Sequence, residues 1–244
     1  MSPRFFAAEP MPRHGSFPQH VTLGDAVAAH VRVLRLNVGD TVTLFDGRGG
    51  EFSGVIESLG KREVTVMLAK HYAIERESPL ALTLVQALAT GDKMDLIVQK
   101  AVELGVTAIQ PIVTLRATVK LSGERAEKKV EHWRGVVIAT CEQCGRNRIP
   151  SVAPIRDLAQ WLPEPFDGTR VILHPEGGRS LTQLAASSPL ALLIGPEGGF
   201  DDQELALARR HGTILATLGT RVLRTETAGL AALAVLQAQA GDLK

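Results

Sequence analysis

From residue 80 onward the chain alternates short apolar runs with longer segments of helical periodicity, and this alternation constrains the fold more than any other feature. Asp92 is the expected N-cap of one such segment, which carries an apolar stripe and stops at Gly105. Strands that alternate with helices are typical of an α/β domain with a mainly parallel sheet. The predicted strands are Leu80–Leu88, Ala108–Val113, Val171–Leu173, Leu190–Ile194 and Leu215–Leu218, and the predicted helices are Asp92–Leu104, Glu124–Cys144 and Thr225–Ala240.

The N-terminal part of the chain has a different pattern. Three segments between residues 41 and 68 alternate apolar and polar residues, and turn compositions separate them. This period-two alternation predicts a small antiparallel sheet or barrel, with one helix over Asp25–Leu36. A charged run that contains Pro79 follows, so we predict two domains, over residues 1–72 and 73–244.

Charge and cysteine content exclude several classes of protein. The chain has 27 Lys and Arg against 26 Asp and Glu, so there is no large basic field for non-specific nucleic-acid binding. Its two cysteines cannot form a disulfide framework. The N-terminus lacks the apolar run of a secretory signal, and no stretch reaches the length of a transmembrane helix. We therefore expect a cytoplasmic protein without a membrane partner.

A repeated loop is the strongest local signal. Pro175-Glu176-Gly177-Gly178 follows one predicted strand, Pro196-Glu197-Gly198-Gly199 follows the next, and Gly219 follows a third. Loops at the carboxyl ends of parallel strands commonly bind ligands, so the repeat favours one shared pocket over simple strand punctuation. No dinucleotide fingerprint or P-loop occurs. Cys141 and Cys144 form a C-x-x-C pair without a second pair, so we expect them to pack and expect no metal site.

Two groups of charged residues have alternative interpretations. Arg224-Thr225-Glu226 stands at the start of the last helix, where it either binds an anionic group or simply caps the helix through Thr225. Arg4, Arg32 and Arg35, together with His30, form either a phosphate-binding patch or a solvated face. The residues alone leave both questions open.

Taken together, these motifs resemble the ribosomal RNA small subunit methyltransferase E family, of the SPOUT class of knotted S-adenosylmethionine-dependent enzymes. The resemblance extends over nearly the whole chain and is most specific in the last two motifs. The residues that carry it are 3–6, 30, 33–35, 39–40, 44–47, 93, 99–106, 142–143, 145–146, 194–200 and 218–228.

The resemblance implies a PUA-like β-barrel that helps to bind RNA, followed by a SPOUT α/β domain whose C-terminal segment forms a deep trefoil knot. It implies methyl transfer to N3 of one uridine in the decoding region of 16S rRNA, by a homodimer that acts on the rRNA or on the small ribosomal subunit. The implied cofactor-binding residues are Leu173, His174, Pro175, Gly178, Ile194, Gly195, Glu197, Gly198, Gly199, Leu218, Gly219, Leu223 and Thr225.

For substrate and catalysis the expectations are as follows. Arg4, His30, Arg32 and Arg35 would bind RNA, and Arg146 would reach the pocket of the neighbouring subunit. Arg224 would stabilise negative charge on the uracil, and Glu226 or Glu197 would accept the N3 proton. Two other functions remain open: a non-catalytic RNA-binding protein with the same fold, and an α/β enzyme that uses another adenine-containing ligand.

Overall fold

The structure, a computed structural model, describes residues 2–13, 17–176, 178–184 and 188–243. The chain forms two compact units: Met1–Glu77 with Cys141–Ile149, and Ser78–Thr140 with Pro150–Lys244. The sequence placed the boundary five residues earlier and did not assign Cys141–Ile149 to the first unit. That segment belongs there because its polar side chains bond within the unit, as Asn147 does to the carbonyl oxygen of Ile74.

The first unit is built on one five-stranded sheet. The strand order is β1-β3-β4-β5-β2, with β1 parallel to β3 and the other pairs antiparallel. Alternate residues of β4 and β5 face a core that contains Phe52, Ile56 and Leu68. The elements are β1 (Arg4–Phe6), β2 (Gln19–Leu23), α1 (Asp25–Val33), β3 (Thr41–Phe45), β4 (Glu51–Leu59) and β5 (Val64–Tyr72).

Helix α1 ends three residues earlier than the sequence predicted. Arg35 takes a positive φ of 56°, and the backbone N–H of Leu36 turns back to the carbonyl oxygen of Val31. This left-handed closure ends the helix before Gly39 is reached.

The second unit has the predicted parallel sheet, with helices packed against it. Its strand order is β11-β13-β10-β12-β6-β7-β8, with β9 paired to β7, and every pair is parallel. The elements are β6 (Leu82–Ala87), α2 (Lys93–Glu103), β7 (Ala108–Val113), α3 (Gly123–Cys144), β8 (Ser151–Val152), β9 (Arg156–Asp157), α4 (Leu158–Trp161), β10 (Thr169–Leu173), β11 (Arg179–Ser180), a 3₁₀ helix (Leu181–Gln183), β12 (Leu190–Ile194), α5 (Asp202–Arg210), β13 (Ile214–Thr217) and α6 (Thr225–Ala240).

The central strands are apolar because the sheet is covered on both faces. Every residue of β12 is buried, as a two-sided parallel strand requires. Asp92 is the N-cap of α2, as predicted, although its side chain makes no capping bond. The helices α4 and α5 were not predicted. The start of α5 is a capping box between Asp201 and Glu204, a spacing that is visible in the sequence. No helix in the described part of the chain combines the length and apolar character needed to cross a membrane.

Candidate active site

Three loops enclose a cavity of about 760 Å³ in the second unit. They follow β10, β12 and β13, which are neighbours in the sheet, so their carboxyl ends meet at one edge. All the predicted cofactor-binding residues line this cavity except Gly178. Gly178 immediately precedes β11, which pairs with β13. Gly177 lies outside the described residues.

Glycine is required at the turn after β12. The backbone N–H of Gly199 bonds to the carbonyl oxygen of Pro196, and Gly199 has a φ of 70°. A Cβ on Gly195 would lie 3.2 Å from the ring of Phe200. Side chains at these positions would strain or fill the turn, so glycine lets a ligand approach the backbone closely.

Thr225 ties this turn to the sheet. Its hydroxyl donates to the carbonyl oxygen of Gly195 at 2.6 Å and accepts from Nε2 of Gln86 at 2.9 Å. Thr225 and Gln86 are both buried, and Gln86 also donates to the carbonyl oxygen of Ala87. The N-cap of α6 is Arg224, so the interpretation of Thr225 as the N-cap was wrong: its hydroxyl is used for a tertiary contact instead.

A charged cluster forms one wall of the cavity, and sequence reasoning did not include its central residue, Lys93, among the site residues. Lys93 Nζ donates to Oε1 of Glu197 at 2.9 Å and lies 3.6 Å from Oε2 of Glu226. Glu197 Oε1 also accepts from the backbone N–H and the hydroxyl of Thr90. The signal that could have identified Lys93 is its position just after β6, next to β12 in the sheet.

The contacts within the cluster shift the pKa values of Glu197 and Lys93 so that both side chains stay charged. Burial alone would raise the pKa of Glu197, but hydrogen bonds from Lys93 and Thr90 outweigh it and lower that pKa to about 2. The hydrogen bond to Glu197 raises the pKa of Lys93. Glu226 does not line the cavity itself, and its Oε2 is buried without a hydrogen-bond partner among the described residues.

Arg224 also lines the cavity and is exposed. No carboxylate in the described ranges forms an ion pair with it, whereas Arg116 on another part of the wall pairs with Asp201 at 3.1 Å. Arg224 is therefore an available cation beside the cavity.

The residues predicted to bind RNA separate into two groups. Arg4 is buried and bonds to Glu51 and Asn147, and Arg146 is buried in an ion pair with Glu77. Both guanidinium groups pair with carboxylates inside the first unit, so neither lies at the surface of the chain as an RNA contact would. The reach of Arg146 into the pocket of a neighbouring subunit stays a prediction.

The remaining three lie at the surface. Arg32 is exposed and donates to the carbonyl oxygen of Lys61 at 2.6 Å, and Arg35 is exposed. His30 is partly exposed and lies 3.4 Å from a carboxylate oxygen of Glu142.

The cysteine pair packs as expected at Cys141. Burial raises the pKa of this thiol to about 12, and the thiol donates to the carbonyl oxygen of Arg148. In the described ranges no three His, Cys, Asp or Glu side chains come close enough to share a metal ion.

Comparisons with known proteins agree on one family. The RNA methyltransferase domain matches residues 76–237, and the RNA methyltransferase PUA domain matches residues 23–68. A ribosomal RNA small subunit methyltransferase E from Neisseria gonorrhoeae, solved bound to S-adenosyl methionine, is 39% identical with a TM-score of 0.94 over the whole of both chains. A protein from Legionella pneumophila, solved with the bound cofactor SAM, is 40% identical at the same TM-score and the same coverage. The ribosomal RNA small subunit methyltransferase E of Buchnera aphidicola is 32% identical over 92% of this chain and 93% of its own.

Proposed function

The chain belongs to the ribosomal RNA small subunit methyltransferase E family, and on this premise we propose that it transfers a methyl group from S-adenosylmethionine to N3 of a single uridine in the decoding region of 16S rRNA. One observation carries the proposal: three glycine-containing loops form a single cavity beside a cluster of charged side chains. The methyl donor needs a cavity to bind in, and the polar base needs charged side chains beside that cavity.

The cavity suits S-adenosylmethionine. This cofactor has no phosphates, so it needs no P-loop, only an apolar wall and open backbone groups. Leu173, Ile194 and Leu223 supply apolar surface, and three glycines of the turn at Gly195–Gly199 line the cavity without side chains. When bound, the cofactor supplies an electrophilic methyl group.

The protein has to favour the uracil anion, because N3 is a weak acid and a poor nucleophile while protonated. Arg224 is placed to stabilise charge on the uracil carbonyl oxygens. Of the two carboxylates expected to accept the proton, Glu197 is the weaker base because three hydrogen bonds occupy it and its pKa is about 2. Glu226 Oε2 accepts no hydrogen bond among the described residues and lies 3.6 Å from Lys93 Nζ, so we assign the proton to Glu226. Because Glu226 does not line the cavity, the proton reaches its carboxylate through water.

RNA is held, in this proposal, by the exposed end of α1. Arg32 and Arg35 lie there, and the bond from Arg32 brings in the β4–β5 turn with Lys61 and Arg62, which are also exposed. None of these four cations forms an ion pair with a carboxylate in the described ranges. His30 lies on the same helix, whereas Arg4 and Arg146 are buried in ion pairs and are not part of this surface.

The finer features of the fold belong to the same proposal. The trefoil knot that the family resemblance implies is part of this proposal, and the chain that would form it runs from β13 to α6, which packs on α2, on the 3₁₀ helix and on β12. The segment between β13 and α6, residues 218–224, lines the cavity. We also propose that the sheet of the first unit forms a PUA-like barrel, and that the enzyme acts in the cytoplasm as a homodimer.

A titration followed by a product assay tests the function. Calorimetry should detect binding of S-adenosylmethionine but not of ATP or NAD, and incubation with unmethylated small subunits should yield N3-methyluridine by mass spectrometry. Cofactor binding without a methylated product would favour the non-catalytic RNA-binding protein. Tighter binding of ATP or NAD would favour an enzyme that uses another adenine-containing ligand.

Salt dependence tests the RNA surface. Replacing Arg32, Arg35 and Lys61 with Ala should weaken RNA binding and make the plot of log K against log salt shallower, by about 0.7–0.9 for each phosphate that the variant no longer neutralises. Cofactor affinity should not change.

The matched control removes three exposed cations of α3, Arg125, Lys128 and Lys129. If the control variant showed as large a decrease in salt dependence as the α1 variant, the RNA surface would lie elsewhere.

A further inference from the structure

Lys93 lies in the cavity wall and has hydrogen-bond donors that its neighbours do not use. It is the first residue of α2, it lines the cavity, and its side chain is 28% exposed. Its ammonium group has three protons, and only the bond to Glu197 is within hydrogen-bond distance among the described residues, because Glu226 is 3.6 Å away. Donor capacity therefore remains on an ammonium group that lines the cavity.

The surroundings of Lys93 hold the ammonium group in position. Thr90 anchors Glu197 with two hydrogen bonds, and Glu197 in turn bonds to Lys93. Glu226 adds a second negative charge from α6. A cation fixed in this way beside a cavity is preorganised to stabilise negative charge that develops on a bound substrate.

We propose that Lys93 is a catalytic residue that donates a hydrogen bond to a carbonyl oxygen of the target uracil and stabilises its N3 anion, with Glu197 as the positioning residue. This inference rests on the proposed function and deepens it, because it assigns a second cation to the same step as Arg224.

The step balances in atoms and charge. The N3–H bond breaks, its electron pair stays on N3, and the proton passes through water to the Glu226 carboxylate. As the new N3–carbon bond forms, the bond from the methyl group to the sulfonium breaks and its electron pair stays on sulfur. Lys93 keeps all its protons throughout and only donates a hydrogen bond.

The charges around Lys93 support a donor that stays protonated. Glu197 faces it from the loop after β12, and Glu226 and Arg224 face it from the start of α6. The bond to Glu197 raises the pKa of Lys93 despite the opposing charge of Arg224, so the ammonium remains charged across the pH range of an assay.

The test compares Lys93→Met, Lys93→Arg and wild type in single-turnover methylation of small subunits at saturating S-adenosylmethionine, from about pH 6 to about pH 9.5. Lys93→Met should lower the rate about a hundredfold near neutral pH, the usual effect of losing one such donor. The deficit should shrink as pH rises, because alkali forms the uracil anion without help. Lys93→Arg should recover a large part of the rate.

Lys100→Met is the matched control. It removes a lysine of the same helix that pairs only with its neighbour Glu103 among the described residues, so its rate should equal that of wild type at every pH. Calorimetric titration with S-adenosylmethionine should give the same affinity for all variants.

Three results would overturn the assignment. An unchanged rate in Lys93→Met would remove any role in catalysis, and an equal loss at every pH would indicate that Lys93 only shapes the wall. A loss of cofactor affinity with a normal saturated rate would mean that it pairs with the cofactor's carboxylate. Failure of the proposed function is distinguishable, because wild type would then form no methylated product.

Discussion

Replacing Thr225 with Val tests whether one buried hydroxyl organises the cofactor loop. The two side chains have nearly the same shape and both are β-branched, so the start of α6 should be little affected. The substitution leaves the carbonyl oxygen of Gly195 without its 2.6 Å bond, whereas Gln86 keeps its bond to Ala87. An unsatisfied buried polar group costs about 1–3 kcal/mol, and about 2 kcal/mol corresponds to a fall in Tm of roughly 4–8 °C for a chain of this size.

The same change should weaken cofactor binding. If about 1.4 kcal/mol of the loss falls on the loop conformation that binds the ligand, affinity for S-adenosylmethionine drops about tenfold. Scanning calorimetry measures the first effect and isothermal titration the second. Thr225→Ser keeps the hydroxyl and loses one methyl group, so it should retain most of the affinity.

The control is Thr227→Val, the same substitution at an exposed position of the same helix. Its effect on stability should stay within about 0.5 kcal/mol, as for most surface changes. If Thr225→Val and Thr227→Val gave equal Tm and equal affinity, the hydroxyl would have no organising role.

Three further predictions address the turn, the buried pair and the first unit. Gly199→Val should leave the protein folded but lower cofactor affinity about tenfold or more in calorimetry, because its φ of 70° costs a β-branched residue about 1–2 kcal/mol or more; wild-type affinity would refute this. In a double-mutant cycle by chemical denaturation, Gln86→Leu with Thr225→Val should cost less than the sum of the single changes, because both single changes remove the same hydrogen bond between Gln86 and Thr225; strict additivity would contradict it. Asp46→Asn should lower stability by about 1.5–3 kcal/mol at neutral pH, since the carboxylate accepts from Arg13, Arg48 and the backbone. Burial raises the pKa of Asp46, but these bonds hold it below its ordinary value, so the stabilisation is complete above about pH 4 and is lost as pH falls further; a wild-type advantage that persisted in acid would argue against the pairing.

Local patterns in the sequence determined the elements and the position of the site. The bounds of α6 are confirmed as predicted, and the parallel sheet follows from strands that alternate with helices. The glycine loops also identified the cavity, because the carboxyl ends of neighbouring parallel strands must meet at one edge of the sheet. These features depend on spacing and on backbone conformation, which are encoded by residues close together in the chain.

Tertiary structure alone decided what the charged residues do. Arg4 and Arg32 are both arginines in the first unit, yet one is buried against Glu51 and the other is exposed. Lys93 and Glu197 are 104 residues apart and meet only because β6 and β12 are adjacent in the sheet. The partner of a long charged side chain is set by contacts between distant segments, and no local pattern in a single sequence encodes that choice.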